Sequence, residues 1–169
     1  MKIENSTSAD LSTIFKLYDV ATQYQIEKKI VTHWPKFDEQ MVLNEIDENR
    51  QFKLIIDNQI ACVWAITLSD PEIWQELDNE SSIYIHRIAT NNDFRGQNFI
   101  KIIVNWARNY CEQNNKNLIR MDTTGQNEKL ILHYTTNGFE FLGLKKLTYT
   151  TNLPAHYQNA TVCLFEIKL

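Results

Sequence analysis

Glycine, proline and cysteine are scarce in this chain of 169 residues, with four, three and three copies. No Gly-x-Gly-x-x-Gly segment occurs, which disfavours a dinucleotide-binding fold. Cys62, Cys111 and Cys163 are too few and too scattered for a disulfide framework or a zinc site, and each lies in an apolar pattern. We therefore expect buried, reduced thiols and no metal site.

The chain also lacks strongly basic and strongly apolar stretches. Its formal net charge is −4 and no Lys/Arg stripe is present, so nucleic acid is not an expected partner. No run reaches the roughly 20 apolar residues that a membrane span needs, and the polar start Met1-Lys2-Ile3-Glu4 is unlike a signal peptide. With 43% hydrophobic residues, we expect one compact, soluble, cytoplasmic domain over residues 1–169 that does not contact a membrane.

Strand and helix patterns are mixed along the chain, which predicts an α/β sheet covered by helices. Strands are predicted at 2–7, 52–66 (a hairpin turning at Asp57-Asn58), 83–90, 117–124 and 161–167. Helices are predicted from 8 or 10 to about 30, from 37 to about 49, from 97 to about 115, and over 126–137. Residues 69–80 form an acidic loop or short helix, and the chain after Phe141-Leu142-Gly143 is expected to be irregular through Pro154.

The most informative segment is a strand, a tight turn and a helix start. A β-branched run ends at Thr90, the polar turn closes with Arg95-Gly96, and an amphipathic helix pattern starts near Gln97. This geometry directs free backbone N–H groups and the positive end of the helix dipole at one point, which suits an anion such as phosphate. Gly96 permits close approach of a ligand to the backbone, and Arg95 adds a positive charge.

A second helix, over 126–137, places an amide and a phenol on one side. Asn127 and Tyr134 are seven residues apart, which returns to nearly the same face at about 100° per residue. Asn137-Gly138-Phe139 then reads as a helix stop followed by strand residues.

This ordered set resembles the GNAT superfamily of acyl-CoA-dependent N-acyltransferases. Arg95-Gly96 match the start of the family's Arg-Gly-x-Gly-x-Gly/Ala turn, and Gly138-Phe139 match its closing pair. Asn127 and Tyr134 match its Asn and Tyr. Asn98 and Ile100 stand where the second Gly and the Gly/Ala are usual; Asn tolerates positive φ well, whereas Ile100 adds bulk at the first helical turn.

The resemblance implies an α/β (α+β) fold with a mixed, largely antiparallel sheet. We expect about six or seven strands with a central parallel pair, and about four flanking helices. It implies acetyl-CoA as co-substrate, with its pantetheine amides paired to the strand edge and its diphosphate on turn amides. The implied cofactor-binding residues are Ile88, Ala89, Thr90, Arg95, Gly96, Gln97, Asn98, Phe99, Ile100, Asn127 and Tyr134, with Asn127 either contacting the cofactor or anchoring its helix.

The implied reaction is direct attack of a primary amine on the thioester. A backbone N–H at Ile88 or Ala89 would stabilise the oxyanion, and Tyr134 would protonate the CoA thiolate. The base is open: His86 ranks first, Glu72 second, and a water relay is the third option. The sequence alone does not decide toward which side of the strand the Asp122 side chain points.

The sequence also does not decide the identity of the acceptor amine or the oligomeric state. A small-molecule or peptide amine is expected, and the acidic 69–80 segment favours a cationic molecule. A homodimer paired through the last strand, taken as a sheet edge, is one option. The alternative function is a non-catalytic acyl-CoA-binding sensor or regulatory module.

Overall fold

The computed structural model describes residues 1–30, 32–148 and 150–169. The described chain holds seven strands: β1 (Lys2–Asn5), β2 (Gln51–Ile56), β3 (Gln59–Thr67), β4 (Ser82–Thr90), β5 (Leu118–Thr124), β6 (Glu140–Lys146) and β7 (Thr161–Lys168). Its α-helices are α1 (Leu11–Glu27), α2 (Glu39–Asp47), α3 (Pro71–Trp74), α4 (Phe99–Gln113) and α5 (Glu128–Thr135). None of the helices in this described part has both the length and the apolarity to cross a membrane.

The strands form one sheet in the order β1-β2-β3-β4-β5-β7-β6. Strands β4 and β5 pair in parallel, from Ser82 opposite Leu118 to Ile85 opposite Met121, whereas β7 pairs antiparallel with both β5 and β6. The predicted mixed, mostly antiparallel sheet with a parallel pair is therefore confirmed. The expectation that the last strand is an edge is wrong, because β7 has a partner on each side.

The described chain divides into two compact units. The first comprises residues 1–66 and 86–97. Its core joins α1 and α2 to β3 and β4 through apolar side chains: Ile14, Leu17, Tyr18, Phe37, Val42, Ile46, Val63 and Ala89. Helix α2 begins where the Asp38 carboxylate accepts a hydrogen bond from the Met41 N–H (2.9 Å), which satisfies a donor at the helix start.

The second unit comprises residues 67–85 and 98–169. One of its clusters packs α3 against β4 and β7 through Ile73, Trp74, Tyr84, Leu147, Val162 and Leu164. Helix α4 buries an apolar stripe of its own, formed by Phe99, Ile100, Ile103, Val104, Ala107 and Cys111. All three cysteines of the chain are free and buried, as predicted. The prediction of a single domain stays a prediction.

The 69–80 segment contains the short helix α3, one of the two alternatives predicted for it. One strand extends beyond its predicted end. Strand β6 continues to Lys146, although an irregular segment was predicted after Gly143. Burial alternates along β6, but Gly143 and Lys145 occupy partly buried positions whereas Leu142 and Leu144 are exposed, so the apolar pattern does not mark this strand. Gly143 has a φ of 110° and lies where the β6–β7 register shifts.

Candidate functional site

The turn between β4 and α4 is built from asparagine and glycine. The Asn91 Oδ1 accepts a hydrogen bond from the Asp93 N–H (3.2 Å), which starts a 3₁₀ turn over Asn92–Phe94. Gly96 then adopts a φ of 85°, and Asn98, the residue before α4, a φ of 49° and a ψ of 53°. Asparagine is the non-glycine residue best suited to this left-handed conformation, so Asn98 serves where the family turn has glycine.

The amides of this turn are available to a ligand. The Arg95 N–H donates to the Asn92 carbonyl (3.2 Å), and the Lys101 N–H to the Asn98 carbonyl (3.2 Å). Between them, the backbone N–H groups of residues 96–100 donate to no other group in the described part of the chain. The Asn98 side chain does not cap α4; its Nδ2 donates instead to Asn137 Oδ1 (3.1 Å). The free N–H donors therefore lie at the positive end of the α4 helix dipole.

A basic concavity adjoins the start of α4 within the second unit. It has a volume of about 370 Å³ and is lined by Asn98, Lys101, Val104, Asn105, Arg108, Thr136 and Asn137. Lys101, Asn105 and Arg108 are spaced by four and three residues, which places them on one helix face. The lining carries two cations and no carboxylate, so it suits an anion. Sequence reasoning missed Lys101 and Arg108, although this spacing was a readable signal.

Two residues of the turn are held by neighbours. The Arg95 guanidinium lies over the Tyr24 ring of α1, 4.3 Å from its centroid. This cation–π contact fixes the arginine on an aromatic face. Ile100 is only 4% exposed, so its bulk is buried in the protein interior.

Helix α5 carries the two residues matched to the family's Asn and Tyr. The Asn127 Oδ1 accepts from the N–H groups of Lys129 (3.1 Å) and Leu130 (3.2 Å), so its side chain anchors the helix start. The Tyr134 ring is partly exposed and packs against Phe165 (5.1 Å between centroids) and Phe139 (6.0 Å). These contacts fix the ring of the candidate acid.

Strand β4 contains a backbone irregularity in its first-unit part. Arg87 has a φ of 50°. For a residue with a Cβ, this left-handed conformation costs about 1–2 kcal/mol and disrupts the regular direction of the neighbouring peptide groups. Ala89 is 1% exposed and packs in the first core, whereas Ile88 and Thr90 are partly exposed. The strand that the resemblance assigned to pantetheine is therefore a distorted one.

The two candidate bases have different surroundings. Burial, with the charges of Arg87 and Arg50, lowers the pKa of His86 to about 3. His86 is thus neutral at pH 7, and it is a weak base. The Glu72 carboxylate is partly exposed and accepts a hydrogen bond from Asn152 Nδ2 (2.7 Å).

A pair of carboxylates lies in the second unit, at the start of α3 and on β5. An oxygen of Asp70 and one of Asp122 lie within 4.8 Å. Burial, then the charges of Asp122, Asp78 and Glu72, raise the pKa of Asp70 to about 8. Burial also raises the pKa of Asp122 to about 7, against the lowering effect of a hydrogen bond with Tyr157. Sequence reasoning left the side of Asp122 open, because the facing of a strand residue depends on its pairing, here with Leu164.

Comparisons with known proteins agree with this architecture. No protein-family model matches the sequence. The chain is 27% identical to an uncharacterized N-acetyltransferase of Bacillus subtilis (strain 168), YesJ, over 106 residues, which span 60% of this chain and 59% of that protein. A GNAT-family acetyltransferase structure from Listeria monocytogenes has a TM-score of 0.77 at 19% identity, covering 99% of this chain and 94% of that one. A ribosomal-protein-alanine N-acetyltransferase from Brucella melitensis has a TM-score of 0.71 at 14% identity, covering both chains fully (100% each).

The fold is therefore that of the GNAT acetyltransferases, and the predicted resemblance is confirmed. The structural likeness extends over nearly the whole chain, whereas the sequence likeness to YesJ spans about three fifths of it. One fold can host different functions, so the function of this chain is argued from the residues of its site.

Proposed function

We propose that this protein is an acetyl-CoA-dependent N-acetyltransferase. The observation that carries the proposal is the set of free amides at residues 98–100 of the second unit, next to a cavity lined by Lys101 and Arg108. Fold likeness to GNAT enzymes and sequence likeness to an N-acetyltransferase support it. The amides hold the diphosphate of CoA, and the two cations lie where further phosphate charge is neutralised.

The chain's own residues then act on the thioester. The backbone along Ile88, Ala89 and Thr90 pairs with the pantetheine amides, and an N–H of Ile88 or Ala89 stabilises the oxyanion. A primary amine attacks the acetyl carbon; the C–N bond forms, the C–S bond breaks, and the thiolate takes a proton from the Tyr134 hydroxyl. Tyr134 suits this role because a phenol with a reference pKa of about 10 keeps its proton at neutral pH.

The amine must lose a proton during this reaction. His86 and Glu72 remain the proposed acceptors, with a water relay as the third route. A neutral imidazole with a pKa of about 3 takes the proton only transiently and passes it to solvent. Much of the rate then comes from holding amine and thioester together, which contributes up to about 7–11 kcal/mol.

Tyr134→Phe tests the proposed acid. We expect the rate of CoA release from acetyl-CoA, measured with a panel of primary amines, to fall by about 10²-fold or more while the KM for acetyl-CoA changes little, because the lost proton is needed only as the C–S bond breaks. Tyr110→Phe, at a partly buried helical tyrosine that packs on Trp106, is the matched control and should retain turnover. Equal losses in turnover and affinity would assign Tyr134 to binding or packing.

The alternative is a non-catalytic acyl-CoA-binding module. It shares the free amides but needs no acid and no base. No turnover with any amine, together with a melting temperature raised by acetyl-CoA, would favour it. No shift in melting at saturating acetyl-CoA would contradict both functions.

A further inference from the structure

Arg87 is a strained residue in the middle of a strand. The other non-glycine residues with positive φ in the described chain lie at helix ends, in turns or just before a strand: Lys29, Asn49, Asp57, Asn58, Gln75, Asn98, Asn115 and Asn159. Arg87 instead lies inside β4, and its side chain is neither small nor able to bond its own backbone as asparagine does. Such a conformation persists only where the surroundings enforce it.

The surroundings of Arg87 are a buried clamp in the first unit. Its Nη2 forms an ion pair with the Glu45 carboxylate on α2, and its Nε donates to the Tyr18 hydroxyl on α1 (3.3 Å). The Arg87 and Glu45 side chains are only 12% and 6% exposed. The guanidinium carbon also lies 5.5 Å from the Phe37 ring centroid. The Tyr18 hydroxyl in turn donates to Gln51 Oε1 (3.3 Å), so the clamp is itself anchored to β2.

The clamp acts on the backbone next to it. Ile88 and Ala89 follow Arg87 directly, and the proposed function uses their N–H groups at the thioester. We propose that Glu45 is a positioning residue, which holds Arg87 in the left-handed conformation and thereby orients the Ile88 and Ala89 amides toward acetyl-CoA. This inference rests on the proposed function. Glu45 contacts no reacting atom; it acts through the Arg87 backbone.

A glycine variant at position 87 distinguishes a clamp that orients the backbone from a clamp that only stabilises the fold. Two double variants remove the ion pair without leaving a buried unpaired charge: Arg87→Gly with Glu45→Gln, and Arg87→Ala with Glu45→Gln. Glycine adopts a φ of 50° freely, whereas alanine does not. If orientation of the strand matters, the glycine variant keeps a kcat for CoA release at least about tenfold above the alanine variant, with a similar KM for acetyl-CoA. If the clamp only stabilises the fold, alanine performs as well as glycine or better, and the proposal is overturned.

The single variant Glu45→Gln supplies a direct readout. We expect hydrogen exchange of the Ile88 and Ala89 amides to change, and kcat to fall more than the affinity for acetyl-CoA measured by calorimetry. Glu48→Gln is the matched control, because Glu48 pairs with Arg50 (2.6 Å) at the end of the same helix but is 59% exposed. Unchanged exchange at both amides would overturn the inference even if activity fell. Wild-type protein that binds no acetyl-CoA would instead refute the proposed function and the positioning role with it.

Discussion

The Asp70 carboxyl makes stability depend on pH in an unusual direction. Its pKa is about 8 in the folded protein, against 3.8 for the free group. Between these values the folded state holds a proton that the unfolded chain has released, so the free energy of unfolding falls as pH rises from about 4 to about 8. The full effect per pH unit is about 1.4 kcal/mol, which relaxation of the site reduces.

Asp70→Asn removes this dependence. We expect the variant to be more stable than wild type at pH 8 by a few kcal/mol, an order-of-magnitude figure, with a flatter profile of melting temperature against pH.

Asp78→Asn should act in the opposite sense. Burial alone would raise the pKa of Asp78, but hydrogen bonds from Tyr84, the Asp70 N–H and Ser69, together with the charge of Arg120, lower it overall. Its charge therefore stabilises the fold at neutral pH, and only protonation below its reference pKa removes that contribution. A wild-type stability that rises from pH 5 to pH 8 would contradict the assignment for Asp70.

The start of helix α5 offers a test that separates two roles of one side chain. Asn127→Ala removes an acceptor for two N–H groups and should lower the free energy of unfolding by about 1 kcal/mol, measured in urea. Asn127→Ser retains capping ability and should retain most of the stability. If Asn127 also contacts acetyl-CoA, both variants lose affinity for it; if it only anchors α5, the serine variant binds as tightly as wild type.

Elements with a local signal were predictable from the sequence, and those set by tertiary pairing were not. The hairpin turn at Asp57-Asn58 followed from residues that accept positive φ. Helix α4 was expected from 97 to about 115 and spans Phe99–Gln113, because its apolar period is strong. The asparagine at the start of α4 was also readable. The backbone irregularity at Arg87 was not predictable, since an arginine gives no sign of positive φ.

The carboxylates show the same limit for the site. Asp70 was visible only as part of an acidic segment, and Asp122 only as a strand residue of unknown facing. Their approach within 4.8 Å depends on how α3 and β5 pack, which no local pattern encodes.

The whole molecule is acidic, although its proposed ligand is a polyanion. With a net charge of −4, the overall field opposes acetyl-CoA, so binding depends on local cations and amides. We expect the Kd for acetyl-CoA to rise several-fold between about 20 and 300 mM salt, because added ions screen charge pairs over a Debye length of about 10 Å at 0.1 M.

Replacing Lys101 and Arg108 by glutamine should weaken binding at low salt and flatten this dependence. Lys16→Gln with Lys36→Gln makes the same change in net charge at exposed positions outside the cavity and serves as the control. An equal loss in the control would mean that net charge, rather than the cavity, sets the affinity.

Because β7 lies inside the sheet, the strands beside it cannot complete their pairing until β7 has been synthesised. Strands β5 and β6, which it joins, are both translated before it. Until Lys168 has left the ribosome, each of them presents unpaired N–H and C=O groups on the side that β7 will cover. The nascent second unit therefore carries two open strand edges until β7 has been synthesised, and during this interval a chaperone can bind the unpaired strands.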